Sequence, residues 1–251
     1  VNKPKVLILD IETSPIEARV WSLYDQNIAV NQITKDWEIM SWAAKWLGGK
    51  TVYQEDQGEY TERGLVLGLW IFLDDADIVV TQNGKKFDIP KINAKFLQYG
   101  LKPVKPFQHI DTRQLAKKHF GFTSNSLEYM TSKFNTKYKK LSHKKFPGQE
   151  LWNECLKGNK TAWKEMAKYN KHDVLATEEL YKKLAPFGSG VNFSVFHDPS
   201  DSVCACGNKT FRKDGFVYTA AGKYQRWDCT KCGAYLKEKK NLFKGKFRKV
   251  S

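Results

Sequence analysis

Asp10 and Glu12 stand one residue apart where the aliphatic run Val6-Leu7-Ile8-Leu9 gives way to Ile11 and Thr13. Side chains alternate faces along a strand, so an extended Lys5–Ile11 segment continuing through Glu12 aims both carboxylates to the same side. Two like charges held there repel each other and lose hydration. A divalent cation relieves both costs. A solvated acidic face on an edge strand explains a lone Asp-x-Glu equally well, so the metal reading depends on further carboxylates. Asp88 supplies one, after the Asn83-Gly84 turn and two residues before Pro90, which suits a first helical turn. Asp173 supplies another, inside a helix spanning 160–184, with Tyr169 four residues earlier on the same face. Asp111 reads as a helix N-cap rather than a ligand. Asp10, Glu12, Asp88 and Asp173 together form a hard-oxygen donor set suited to Mg²⁺ or Mn²⁺. Two such ions about 3.5–4 Å apart activate an attacking water and stabilise a leaving oxygen, which is phosphodiester chemistry.

The elements that must position these residues follow from periodicity. Lys5–Ile11, Ala18–Leu23 and Glu38–Trp46 read as strands, with Thr51–Gln54 a candidate fourth, giving a meander. Glu62–Leu73 has helical spacing and leads into the aliphatic stretch Ala76–Val80, a helix-then-strand pattern that suggests a crossover to a parallel strand. A helix to about Tyr99 follows Asp88. A strand at Phe107–Ile110 precedes a helix capped by Asp111-Thr112, and Ser124 or Ser126 caps another. Lys137, Lys139, Lys140, His143, Lys144 and Lys145 lie in a basic stretch, 136–146, expected to be a mobile loop. Helices are expected over 147–156 and 160–184, and the Pro- and Gly-containing segment 186–202 reads as a linker.

Forty-two Lys and Arg against 27 Asp and Glu leave a formal charge of +15. That balance favours a polyanionic partner, and nucleic acid over membrane because no amphipathic anchor is evident. Residues 203–251 hold a net +10 in about a fifth of the chain. The apolar runs are too short to cross a bilayer and no secretory pattern opens the chain, so a cytoplasmic protein is expected. A bacterial or phage source is compatible with this.

Four of the five cysteines cluster as Cys204-Ala205-Cys206-Gly207 and Cys229-Thr230-Lys231-Cys232-Gly233. Two such knuckles around a stretch rich in Phe, Tyr and Gly suit one tetrahedral, structural Zn²⁺. The arrangement resembles a zinc ribbon, although its first pair is separated by one residue instead of two or more, and His197 is an alternative ligand. Cys155 reads as a buried or incidental thiol in a helical stretch. Arg212, Lys213, Lys223, Arg226 and Trp227 mix cations with aromatic faces, a combination suited to tracking phosphates and stacking bases.

Three motifs in order carry a further resemblance: Leu9-Asp10-Ile11-Glu12-Thr13, Asn83-Gly84-Lys85-Lys86-Phe87-Asp88 and Tyr169-Asn170-Lys171-His172-Asp173-Val174. Across about residues 5–185 the chain resembles the DEDD superfamily of 3′–5′ exonucleases, whose fold is ribonuclease H-like. Lys168 occupies the position of the histidine in one branch, and Tyr169 that of the tyrosine in the other, so the sequence resembles the DEDDy branch. The resemblance implies an α/β fold with a mixed sheet flanked by helices, followed by a small zinc-ribbon-like domain. The expected boundaries are 1–185 for the nuclease, 186–202 for the linker and 203–251 for the basic module. It also implies roles: Asp10 bridging two metals, Glu12 and Asp173 completing the site of the attacking water, Asp88 supporting the second metal through water, and Tyr169 orienting the water. Thr13, Ser14, Asn83 and Phe87 are expected near the substrate strand.

The function expected is a stand-alone exonuclease acting on single-stranded DNA or a DNA 3′ end, its zinc module holding the strand or a polymerase or other replication protein. An RNA-trimming nuclease, a structure-selective endonuclease and a non-catalytic zinc-ribbon adaptor are the alternatives.

Overall fold

A computed structural model of the chain describes residues 4–134, 136–139, 145–188, 190–197 and 201–245. Residues 140–144 of the basic stretch, 198–200 of the expected linker and 246–251 of the basic tail lie outside the described residues. The chain separates into two compact units, one of Lys5–Tyr181 and one drawn from Lys182 onward.

The first unit is built on β1 (Val6–Thr13), whose aliphatic start is fully buried. After two short strands, β2 (Glu17–Ala18) and β3 (Ile33–Lys35), come β4 (Ile39–Trp46), β5 (Tyr53–Asp56), α1 (Glu62–Asp74), β6 (Ile78–Thr81), α2 (Asp88–Gln98), β7 (Gln108–Asp111) and α3 (Thr112–His119). Helices α4 (Leu127–Lys133), α5 (Glu150–Leu156) and α6 (Lys160–Leu184) complete it. The main sheet runs β5-β4-β1-β6-β7. β1, β4 and β5 are antiparallel neighbours, while β6 and β7 join in parallel. The expected mixed sheet flanked by helices is therefore present, with β1 at its centre, and α1 is the expected crossover into a parallel strand.

Alternation along β1 divides its residues between two environments. Leu7, Leu9 and Ile11 join the core under α1 and α2, with Leu65, Leu69, Ile92 and Phe96. Ile8, Asp10 and Glu12 face the other way, the same side as Ser41 and Lys45 of β4, whose register places Glu12 opposite Ser41 and Ile8 opposite Lys45. α6 covers that side. Its anchor is the buried ion pair of Lys45 with Glu178, whose second oxygen accepts the Gly48 amide at 3.1 Å. A smaller apolar cluster of Met40, Leu151, Cys155, Ala162 and Met166 seats α5 against α6. Cys155 is buried there as expected, its thiol pushed up to about 12 by burial.

The expected strand over Ala18–Leu23 does not form. Only Glu17–Ala18 is extended and paired, with β3, and Trp21, Leu23 and Tyr24 are 98%, 88% and 81% exposed. The alternation there has no sheet face to bury against, so pairing stops after two residues.

In the second unit, β8 (Phe211–Thr219), β9 (Gly222–Cys229) and β10 (Tyr235–Asn241) form an antiparallel sheet in the order β10-β9-β8. Its small core is Cys204, Cys229 and Ala234, with Cys206, Phe211, Cys232 and Leu236 packed around it. Among the described residues no helix is long and apolar enough to cross a membrane.

Candidate functional site

Each of Asp10, Glu12 and Asp173 offers a carboxylate oxygen, and these atoms lie within 4.8 Å of one another. β1 contributes the first two through its alternation, and α6 brings the third from the far end of the unit. Burial pushes the Asp10 carboxyl well above the usual carboxylate range, reinforced by the charges of Asp88, Glu12 and Asp173 and opposed by the Asn170 amide. Three converging hard-oxygen donors at this spacing, with Asp10 electrostatically strained as an anion, fit a divalent cation.

Asn170 stands in the third motif, but the sequence assigned it no role. It is fully buried, donates its side-chain amide to Asp10 Oδ2 at 2.7 Å, and accepts the Ser41 hydroxyl at 2.8 Å. The amide thus fixes which way the Asp10 carboxylate faces. A signal existed: Asn170 precedes Asp173 by three residues, so both share one face of α6. Tyr169 is 5% exposed and its ring meets Trp152 edge-on, with centroids 6.2 Å apart. Burial, then the charges of Asp173, Glu12 and Asp10, hold its phenol far above the ordinary range, and its hydroxyl is hydrogen-bonded to Asp173. Tyr169 therefore stays protonated and serves as a donor.

Asp88 lies outside the group of three but within reach of its charge. It is the first residue of α2, and its carboxylate bonds its own backbone amide there. Its Oδ1 also accepts the Ile11 amide of β1 at 3.1 Å. β6 pairs with β1 only from Val6 to Ile8, and the Asp88 carboxylate satisfies the β1 amide at Ile11, beyond that pairing. Burial pushes Asp88 up to about 7, with Asp111 adding to the rise and the Ile11 amide opposing it.

Asp111 is wholly engaged in structure. It accepts the Arg113 and Gln114 amides at the start of α3 and the Asn83 and Lys85 amides of the preceding turn, all at 3.0–3.2 Å. That turn puts Asn83 at φ 69° and leaves no room at Gly84, where a Cβ would meet Thr81 Oγ1 at 2.4 Å. The result is a cleft of about 720 Å³ lined by Asp10, Glu12, Asp88, Tyr169 and Asp173 with Asn83, Phe87, Arg113, Lys117, Ser126 and Trp152. Of the expected strand contacts, Asn83 and Phe87 line it. Thr13 and Ser14 do not, and Ser14 is buried with its hydroxyl accepting the Glu38 amide at 2.9 Å. Arg113, Lys117 and Trp152 escaped the sequence reading because no local pattern distinguishes them from surface and core residues.

In the second unit the four sulfurs of Cys204, Cys206, Cys229 and Cys232 lie within 4.8 Å of one another, with 3.5 Å between Cys204 and Cys232 and 3.6 Å between Cys206 and Cys229. Thiolates about 2.3 Å from a tetrahedral Zn²⁺ sit about 3.8 Å apart, so the cluster fits such an ion. The one-residue spacing of the first pair does not prevent convergence, and His197 is not in the cluster. The Asn208 amide and the Cys232 and Lys231 backbone amides bring the Cys229 thiol down to about 6, against the opposing effect of burial. Around the sheet, Arg212 pairs with Asp228 at 2.8 Å, Arg226 with Asp214 at 3.0 Å, and the Trp227 indole donates to Glu238 at 2.9 Å. Lys213 and Lys223 make no ion pair among the described residues; they sit 5.5 Å from the Trp227 ring and 3.8 Å from the Phe216 ring.

The family model RNase_H_2, of the RNase_H superfamily, matches residues 41–185. No curated protein matches the chain. Among solved structures, the chain is similar to the family B DNA polymerase from the hyperthermophilic archaeon Pyrobaculum calidifontis. The TM-score is 0.51 at 14% identity, over 86% of this chain and 31% of the polymerase, so the two share a fold and the chain spans about a third of that protein.

Proposed function

The chain belongs to the RNase_H superfamily, and on that premise we propose that it is a metal-dependent 3′–5′ exonuclease of the DEDDy type that shortens DNA from its 3′ end. The observation that carries this reading is the convergence of Asp10, Glu12 and Asp173 within 4.8 Å, with the Tyr169 hydroxyl bonded to Asp173. Superfamily membership supports nuclease chemistry, and the basic balance of the chain supports a nucleic-acid substrate.

In this reading Asp10, Glu12 and Asp173 would hold Mg²⁺ or Mn²⁺, with Asp88 contributing to the site of a second ion. The bound ions supply Lewis-acid activation of a water and charge stabilisation at the departing oxygen. Asn170 keeps the Asp10 oxygens aimed into the site. Tyr169, held as a donor by burial and three nearby carboxylates, orients the water instead of deprotonating it. Trp152 braces the Tyr169 ring. Asn83 and Phe87, on the cleft wall, guide the strand end. Cys204, Cys206, Cys229 and Cys232 bind one structural Zn²⁺, and the basic module so formed engages nucleic acid or a replication partner such as a polymerase.

The test is cleavage of single strands labelled at the 5′ or the 3′ end, with Mg²⁺ or Mn²⁺, beside RNA of the same sequence. Stepwise shortening of the 5′-labelled DNA and immediate release of the 3′ label are expected. Internal cuts on a strand with a blocked 3′ end overturn the direction, and faster cleavage of RNA overturns the DNA preference. Asp10→Ala and Asp173→Ala abolish cleavage; unchanged cleavage in both removes the metal site.

A further inference from the structure

Arg113 is the one guanidinium on the wall of the carboxylate cleft among its described lining residues. Its Nη1 donates to Asn83 Oδ1 at 2.9 Å, and its Nε is buried with no hydrogen-bond partner. The carboxylate nearest in sequence, Asp111, accepts four backbone amides, three on Oδ1 and one on Oδ2, and forms no ion pair with the Arg113 guanidinium among the described residues. No ion pair neutralises Arg113 among the described residues. A cation with a buried, unsatisfied donor is a costly feature unless an anion arrives. Lys117, four residues on and so on the same face of α3, lines the same cleft and is exposed.

We infer that Arg113 is a phosphate-holding residue: its guanidinium, aimed by Asn83, grips a phosphodiester of the strand whose end lies at the carboxylates, and Lys117 takes an outer phosphate. The inference rests on the exonuclease reading of the same cleft. A planar fork suits this task because it can present two parallel donors to phosphate oxygens, whereas lysine offers a point charge. The bond to Asn83 also couples strand grip to the turn that carries Asp88, since Asn83, Lys85 and the start of α3 are all tied to Asp111.

The experiment uses the full chain and a 3′-fluorescent single-stranded DNA. Binding is measured by anisotropy over a range of salt with Asp10→Ala as parent, and cleavage kinetics are measured in the otherwise unaltered protein. Arg113→Gln is expected to raise KM about ten- to hundredfold with kcat little changed, and to reduce the salt slope of binding by about 0.7, one phosphate contact on a single strand. Arg113→Lys is expected to retain the salt slope while recovering only part of the affinity. Lys117→Gln, at an exposed position, is expected to lower the slope with a smaller change in KM. An Arg113→Gln protein that unfolds earlier or loses kcat, with Arg113→Lys and Lys117→Gln leaving KM and salt slope untouched, overturns the inference and makes Arg113 a brace for Asn83. Failure of the unaltered protein to cleave any strand is a different result and overturns the exonuclease reading itself.

Discussion

Asn170 of α6 donates its side-chain amide to Asp10 Oδ2 of β1 at 2.7 Å, joining residues 160 positions apart. The same side chain accepts the Ser41 hydroxyl of β4, so three elements meet at one buried amide. Its energetic weight comes from burial: Asn170 and Ser41 are fully buried, so breaking their bond leaves a polar group that water cannot reach.

Asn170→Ala is therefore expected to destabilise the first unit by about 1–3 kcal/mol and to lower cleavage more than stability alone explains, because Asp10 loses its orientation. Denaturant titration beside kinetics at several metal concentrations separates the two effects. A higher metal requirement marks lost orientation. Unchanged kinetics at full folding would remove Asn170 from the site.

The carboxylate cluster predicts a pH-dependent response to metal. Asp88 is raised from 3.8 to about 7, and Asp10 is raised as well. A carboxyl whose folded pKa exceeds its unfolded value binds more protons when folded, so it stabilises the fold below about pH 4, and that contribution is lost as pH rises through about 7. Bound Mg²⁺ or Mn²⁺ offsets the loss by pairing with the ionised forms. The rise in Tm on adding either ion, with zinc retained, should thus be larger at pH 8 than at pH 5. An equal rise at both values contradicts the cluster as the binding place.

Gly84→Ala is expected to cost about 1–3 kcal/mol through overpacking, since the new methyl meets Thr81 Oγ1, Cβ and Cγ2 at 2.4–2.8 Å. The displaced turn carries Asn83 and leads into Asp88, so cleavage should fall with stability. Equilibrium unfolding and a rate assay on the same preparation check both.

Lys45 and Glu178 clamp α6 to β4 with both side chains less than a tenth exposed. Lys45→Met leaves the buried Glu178 carboxylate without its cation and should destabilise by about 3–5 kcal/mol. The double variant Lys45→Met with Glu178→Leu should recover most of that loss, measured by chemical denaturation. A double variant as unstable as the single one shows that packing, not charge, dominates.

Much of this protein was legible in its sequence because the signals are local. The aliphatic run of β1 interrupted by Asp10 and Glu12, the Ser126 cap, the Asp111-Thr112 helix start and the length of α6 each follow from spacing over a few residues. Local alternation also misled, at Ala18–Leu23, where a strand pattern met no partner strand and stayed exposed. The paired knuckles announced a four-thiol cluster, and the fold brought its sulfurs together despite the tight first spacing.

What the tertiary structure alone decided is which side chains share a space. Asp10 and Glu12 bore a metal-like pattern in the sequence, but their meeting with Asp173, the amide of Asn170 that orients Asp10, and the bond from Asp88 to Ile11 all need β1, α2 and α6 to be packed. The same holds for Arg113, an ordinary first-turn arginine in the sequence. Its lack of a counter-charge appears only once Asp111 is seen to bond backbone amides and not the guanidinium. Residue type and spacing determine what chemistry a side chain offers, whereas burial and long-range contact determine which charges remain unsatisfied.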